Sequence, residues 1–211
     1  MNDLGFFLAV VASTFVVVDP VGTLPFFVGL TSEFSPEDRE RILRRAVLIM
    51  AGILVAFTLV GRFLFTAYGF GFPAFEIAGG ILLFIIAYDM LRGEIGPTKL
   101  THADREDAAH ARDEVAVFPI AIPLLAGPGA ISTVMIYESS ASSDALGISA
   151  TFIAIVIVGI ATYVIFRYGQ IILRGLGRVG VMAMTRIFGL LLAAVAVQFV
   201  LNGAIAIIPQ L

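Results

Sequence analysis

The sequence predicts an all-α integral membrane protein of six transmembrane helices, built as two inverted three-helix repeats, with helices 1 and 4 broken by proline and glycine. Three observations carry this. Of the 211 residues, 59% are hydrophobic and 14% charged, whereas soluble domains run about 45–50% apolar and about 25% charged. The charges gather between six mostly apolar stretches, each of the roughly 20 residues a bilayer span requires. A proline–glycine–proline pattern recurs in the first and fourth of these stretches.

The spans are Leu4–Leu30, Ala46–Ala67, Phe72–Leu91, Val115–Tyr137, Leu146–Phe166 and Ile187–Ile208. Met1-Asn2-Asp3 lacks the positive start of a cleavable signal, so the first span is expected to remain in the mature chain. Ahead of span 2, Ser35 reads as an N-cap, Pro36 suits the first helical position, and Asp38 completes a capping-box-like pattern. Helix 2 therefore starts near Pro36, outside the apolar region. The chain reads as one membrane domain, 1–211. Residues 1–93 form the first repeat, 94–114 a solvated cytoplasmic connector, and 115–211 the second repeat.

Orientation follows from the cations. Arg39, Arg41, Arg44 and Arg45 follow span 1; Arg92, Lys99, Arg105 and Arg112 follow span 3; Arg167, Arg174, Arg178 and Arg186 follow span 5. These are twelve of the thirteen Lys and Arg residues, Arg62 being the exception. The positive-inside rule places all three loops in the cytoplasm and both termini outside. A net charge of −3 argues against nucleic-acid binding. With no cysteine, disulfides, thiolate metal sites and a cysteine nucleophile are excluded. His102 and His110 lie in the connector, and no hydrolytic, metal-ligand or nucleotide-binding spacing is present, so an enzyme and a bound cofactor are not expected.

The repeat rests on two alignments. Span 1 carries Pro20-Val-Gly22-Thr23-Leu-Pro25, and span 4 carries Pro123-Leu-Leu-Ala-Gly127-Pro128 followed by Gly129. Residues 76–93 align without gaps to 186–203, with five of eighteen positions identical. Three spans per repeat, an odd number, force the halves into opposite orientations, an architecture that secondary transporters use to hold substrate where the halves meet.

Proline removes a backbone donor and clashes with the carbonyl four residues back, so each pair is expected to unwind the turn it brackets. Such a break must be buried in protein or line a wet cavity. The downstream half-helices, expected to begin near Pro25 and Pro128, present N–H groups and partial positive charge that suit a carboxylate. The upstream halves end in carbonyls that suit an ammonium or a small cation. A zwitterionic amino acid satisfies both. Asp19 is the only charge in span 1, and an acid at membrane depth is a functional candidate. It could bind the ammonium, carry a coupling proton or hold a cation, and it also reads as the cap of a helix starting at Pro20. Ser132 and Thr133 flank the second break. Glu76 and Arg186 hold equivalent repeat positions near opposite interfaces, and Gln198 and Asn202, four apart, either pack helices or face a cavity.

Residue counts place the two breaks unequally. Leu4–Asp19 covers most of a bilayer, while Val115–Ile122 covers less than half. Either span 1 starts later than Leu4, or the breaks lie away from the midplane.

The chain resembles the MarC family of bacterial and archaeal inner-membrane proteins, also described as small neutral amino acid transporters. The resemblance runs through essentially the whole chain. It is carried by Asp19-Pro20-Val-Gly22-Thr-Leu-Pro25-Phe-Phe, the segment SPEDRERILRRA from Ser35 to Ala46, Ile77-Ala-Gly79-Gly80-Ile, Pro123-Leu-Leu-Ala-Gly127-Pro128-Gly129-Ala-Ile131, Gly177-Arg178-Val-Gly180, Arg186-Ile-Phe-Gly189-Leu and Val197-Gln198. The resemblance implies six spans, inverted repeats, transport of small neutral amino acids such as glycine and alanine, and a substrate site made by the two breaks. The site residues expected are Asp19, Pro20, Gly22, Thr23, Pro25, Pro123, Gly127, Pro128 and Gly129. Expected partners are a small neutral amino acid, the lipid bilayer of the cell inner membrane, and a coupling proton or cation. An exporter of drugs or other solutes, or a non-transporting assembly or regulatory protein, are the alternative expectations.

Overall fold

A computed structural model of the chain describes residues 3–31, 34–92, 113–140, 145–174 and 177–207. The expected connector, 94–114, lies outside these apart from Asp113 and Glu114, and with it Lys99, His102, Arg105, His110 and Arg112. The described residues form helices α1 (Asp3–Val18), α2 (Pro20–Leu30), α3 (Pro36–Tyr68), α4 (Phe72–Arg92), the wide-wound α5 (Ala116–Leu125), α6 (Pro128–Ser140), α7 (Ala145–Arg174) and α8 (Gly177–Ile207), with no strand among them. Five stretches are long and apolar enough to cross a membrane, α1 and α2 together counting as one. A sixth candidate is the α5–α6 pair, bent by 59°.

Helix α3 has 33 residues, about 50 Å at 1.5 Å per residue, well beyond a hydrocarbon core of about 30 Å. Its charged first turns extend past the apolar zone. The Ser35 side chain accepts from the Asp38 N–H at 3.1 Å, as the capping pattern predicts. Gly69, at φ 70, closes the helix in the left-handed region, and a cluster of Phe57, Phe65, Phe70, Phe72 and Phe75 holds the α3–α4 turn.

At the opposite end the cations converge. Glu40 accepts from Arg44 at 2.9 Å, pairs with Arg167 at 2.6 Å and also receives the Tyr163 hydroxyl, tying α3 to α7. Arg45 pairs with Asp113. Arg39 is only 7% exposed. Its guanidinium donates to the carbonyls of Thr31 (3.1 Å) and Phe34 (3.3 Å), closing the carboxyl end of α2. Arg39→Ala should cost about 2–3 kcal/mol of stability, since charge-assisted bonds are lost and carbonyls stranded. Thermal unfolding in detergent measures this, and Arg39→Lys should recover only part, because an ammonium cannot fork between two carbonyls.

Helices α4 and α8 pack closely and antiparallel. Gly203 lies against Pro73 and Ile77, Gly80 against Ala196 and Val200, and Gly189 against Ala87 and Met90. In lipid, small residues let helices approach and gain dispersion contacts where the hydrophobic effect offers little. A methyl at Gly80 would sit 2.7 Å from the Ala196 carbonyl oxygen, so this approach depends on glycine. Much of the outer surface is apolar, including Leu59, Phe63, Leu190 and Ile205, each more than 60% exposed, as suits a face against acyl chains.

Candidate functional site

The first break is a single residue. Asp19 stands between α1 and α2 at φ 45, ψ 63, in the left-handed region that aspartate tolerates better than most residues. Its Oδ1 accepts the Gly22 N–H at 2.9 Å. Its carbonyl accepts the Thr23 N–H at 3.0 Å and the Thr23 hydroxyl at 2.7 Å. A methyl at Gly22 would overlap the carboxylate, so glycine is what lets this cap form. Helix α2 therefore starts at Pro20, where a proline's missing donor costs nothing, and not near Pro25 as expected. Pro25 lies buried inside α2, so the turn between the two prolines is wound. The cap at Asp19 satisfies the first turn, and packing on all sides of Pro25 through Leu30 holds the helix across the ring.

The second break is longer. Phe118 (φ −127, ψ 127) and Ile122 (φ −126, ψ 127) leave helical geometry inside α5. Each precedes a proline, Pro119 or Pro123, whose ring pushes the preceding residue to extended backbone. The Ala126 N–H reaches back to the Ala121 carbonyl at 2.8 Å, and α6 begins at Pro128 with Ile131 N–H bonded to the Gly127 carbonyl at 3.0 Å. The expected start at Pro128 is where the helix begins. The irregularity reaches upstream to Pro119, a proline the pair-based reading did not use.

The half-helix lengths bring the breaks to a common depth. Asp19 has 16 helical residues before it and 11 after; the second break has 10 before and 13 after. Helix α1 lies along α6, joined by the Ser13–Tyr137 hydroxyl bond at 2.8 Å and the edge-on Phe6–Tyr137 rings, while α2 neighbours α5. Long half lies beside long half and short beside short, and Gly129 at the start of α6 lies against Val17 beside Asp19, so both breaks sit at one level.

Between the breaks is a cavity of about 160 Å³, far above the roughly 10–15 Å³ that one water needs. Of the nine expected site residues, Asp19, Gly22, Thr23, Pro123, Gly127 and Gly129 line it. Pro20, Pro25 and Pro128 do not; they shape the backbone that does, and Pro128 packs against Gly79 of α4. The other walls are Val17, Val18, Phe26, Leu83, Leu124, Ala130, Phe188, Leu191, Leu192, Val195 and Phe199. These apolar residues carried no signal in the sequence separable from ordinary helix packing.

Two helix N-termini, those of α2 and α6, thus meet at a small cavity containing one exposed carboxylate. The Asp19 Oδ1 is engaged by its cap, and Oδ2 lies against Gly22 where a side chain would otherwise stand. The site can hold a cationic group at Asp19 and an anionic group at the start of α6, while Phe26, Phe188 and Phe199 limit the apolar bulk between them. Among the described residues no three metal-ligating side chains cluster.

Known proteins share this sequence along nearly its whole length. A family model described as MarC family integral membrane protein matches residues 4–208. A UPF0056 membrane protein of Pyrococcus abyssi is 40% identical over 197 residues, 93% of each chain. The UPF0056 membrane protein YvbG of Bacillus subtilis is 34% identical over 98% of this chain and 97% of its own. The UPF0056 membrane protein YhcE of Escherichia coli is 34% identical over 93% and 91%. No solved structure matches.

Proposed function

The chain belongs to the MarC family of integral membrane proteins, and from that premise we propose that it is a secondary transporter of small neutral amino acids, of the glycine and alanine class. The observation that carries this reading is the cavity in which both helix breaks meet around Asp19. A zwitterion has one charge for the carboxylate of Asp19 and one for the amino end of α6. A volume of about 160 Å³ walled by three phenylalanines suits a small solute, whereas a drug exporter needs a larger chamber and a scaffold needs none.

The inverted repeat is part of the proposal. The register that aligns 76–93 with 186–203 carries the Gly80–Ala196 contact onto the Gly189–Ala87 contact to within one residue on each helix, as a two-fold axis in the membrane plane requires. Six spans, with α5 and α6 as one, and cations gathered at one end support an inner-membrane orientation with that end cytoplasmic and both termini outside. Alternating access would then rock the halves about the breaks, with a proton or cation gradient driving uphill movement.

Labelled glycine or alanine uptake into proteoliposomes tests the reading. Saturable uptake, stimulated by an imposed proton or sodium gradient, is the expected result. Folded protein that takes up neither amino acid under any gradient overturns it.

A further inference from the structure

A polar trio lies outside the cavity, on the α4–α8 pair. Gln198 Nε2 donates to Asn202 Oδ1 at 2.7 Å, and Asn202 stands beside the Glu76 carboxylate. These contacts leave several donors and acceptors of the trio unused, and both amides are exposed on the protein surface. Facing lipid, such groups have no partner, and a carboxylate there is costly.

Their place on the helices is informative. At about 100° per residue, Asn202 falls within about 20° of Val195 and of Leu191, both cavity-lining residues. Glu76 precedes the cavity residue Leu83 by two turns on one face of α4. The trio therefore continues the cavity wall toward the end of the bundle that holds the α3–α4 turn. The cavity is open between α1 and α8, on the outer side of α8 that Gln198 and Asn202 share, because Val17 (39%), Leu191 (53%) and Val195 (46%) are exposed even though they line it.

We propose that Gln198, Asn202 and Glu76 line a water-filled path by which a small zwitterion passes between that membrane face and the cavity. Glu76 stands at its mouth, four residues into α4, where it draws the ammonium group. The amides then offer both donor and acceptor to a solute losing its hydration shell. The path rests on the transporter reading for its cargo, but its water content can be tested independently.

The chain has no cysteine, so single replacements report cleanly. Gln198→Cys and Asn202→Cys, in protein reconstituted in liposomes, should react with a membrane-impermeant maleimide. Val197→Cys and Leu190→Cys, on the lipid side of the same helix, are the controls. Only a thiolate reacts, and a thiol in hydrocarbon does not ionise, so the path positions should label at least about 100-fold faster than the controls. Glycine or alanine should slow that labelling, and Glu76→Gln should raise the KM for uptake while leaving maximal rate largely intact. Labelling at control rates for both path positions overturns the path whatever the transport assay gives. So does a disulfide between two copies of the Gln198→Cys or Asn202→Cys variant that excludes the reagent, which would make the seam a self-association face. Fast labelling that neither amino acid slows keeps the water path and removes the amino acid as its cargo.

Discussion

Asp19→Asn should lower amino acid uptake at least about 100-fold, the loss expected when the charged partner of a bound cationic group is removed, and leave the protein folded. Asparagine is as good an N-cap as aspartate and tolerates the left-handed backbone as readily, so the bond to Gly22 and the φ of 45 survive. What disappears is the charge. Thermal unfolding within about 0.5 kcal/mol of the parent, together with lost uptake, would place Asp19 in the substrate or coupling site. Uptake retained by Asp19→Asn would assign the residue to capping alone. Asp19→Ala is a useful partner because it removes cap and charge together and should add about 1 kcal/mol of destabilisation.

Gly79→Val should be strongly destabilising. A methyl at this position would overlap the Pro128 ring, which opens α6 and cannot swing aside like a flexible side chain. Accommodating it must push α4 away from the second break, costing about 3 kcal/mol or more and distorting the cavity. The comparison is Gly52→Ala in the middle of α3. Nothing lies within 4 Å of a methyl there, so it should stabilise by about 0.5–1 kcal/mol through helix propensity. Denaturation by SDS in mixed micelles ranks the two. Similar effects from both would show that the α4–α6 contact is looser than described.

The spans were legible because hydrocarbon leaves the backbone no alternative to helix, so apolar length alone gives them away. The Ser35 cap and the start at Pro128 were legible for a similar reason: each is a local pattern with a local cause. Pro25 was not. Proline's local effect is to break a helix, and what holds α2 together across it is packing by Phe166 on Phe27 and by Phe188 on Phe26, contacts distant in sequence. Pro119 stands outside the proline pair that repeats between spans, so the repeat gives it no signal. The level of the breaks was obscure for a related reason. Counting residues from each span's start compares opposite faces of the membrane, and only the pairing of α1 with α6 shows which halves lie side by side. Of the site, the polar and glycine residues stood out, while the walls contributed by Phe188, Val195 and Phe199 looked like any apolar helix face.

The common level of the two breaks has an electrical consequence. A membrane potential does about 2.3 kcal/mol of work per 100 mV on a unit charge that crosses completely. A cation or proton that reaches Asp19 from either side crosses about half the field and collects about half that work. Its apparent affinity should then change roughly sevenfold per 100 mV, in opposite senses for the two directions of approach. A zwitterion entering alone carries no net charge and feels none of this. The voltage dependence of half-saturation therefore separates the coupling ion from its cargo without any mutation.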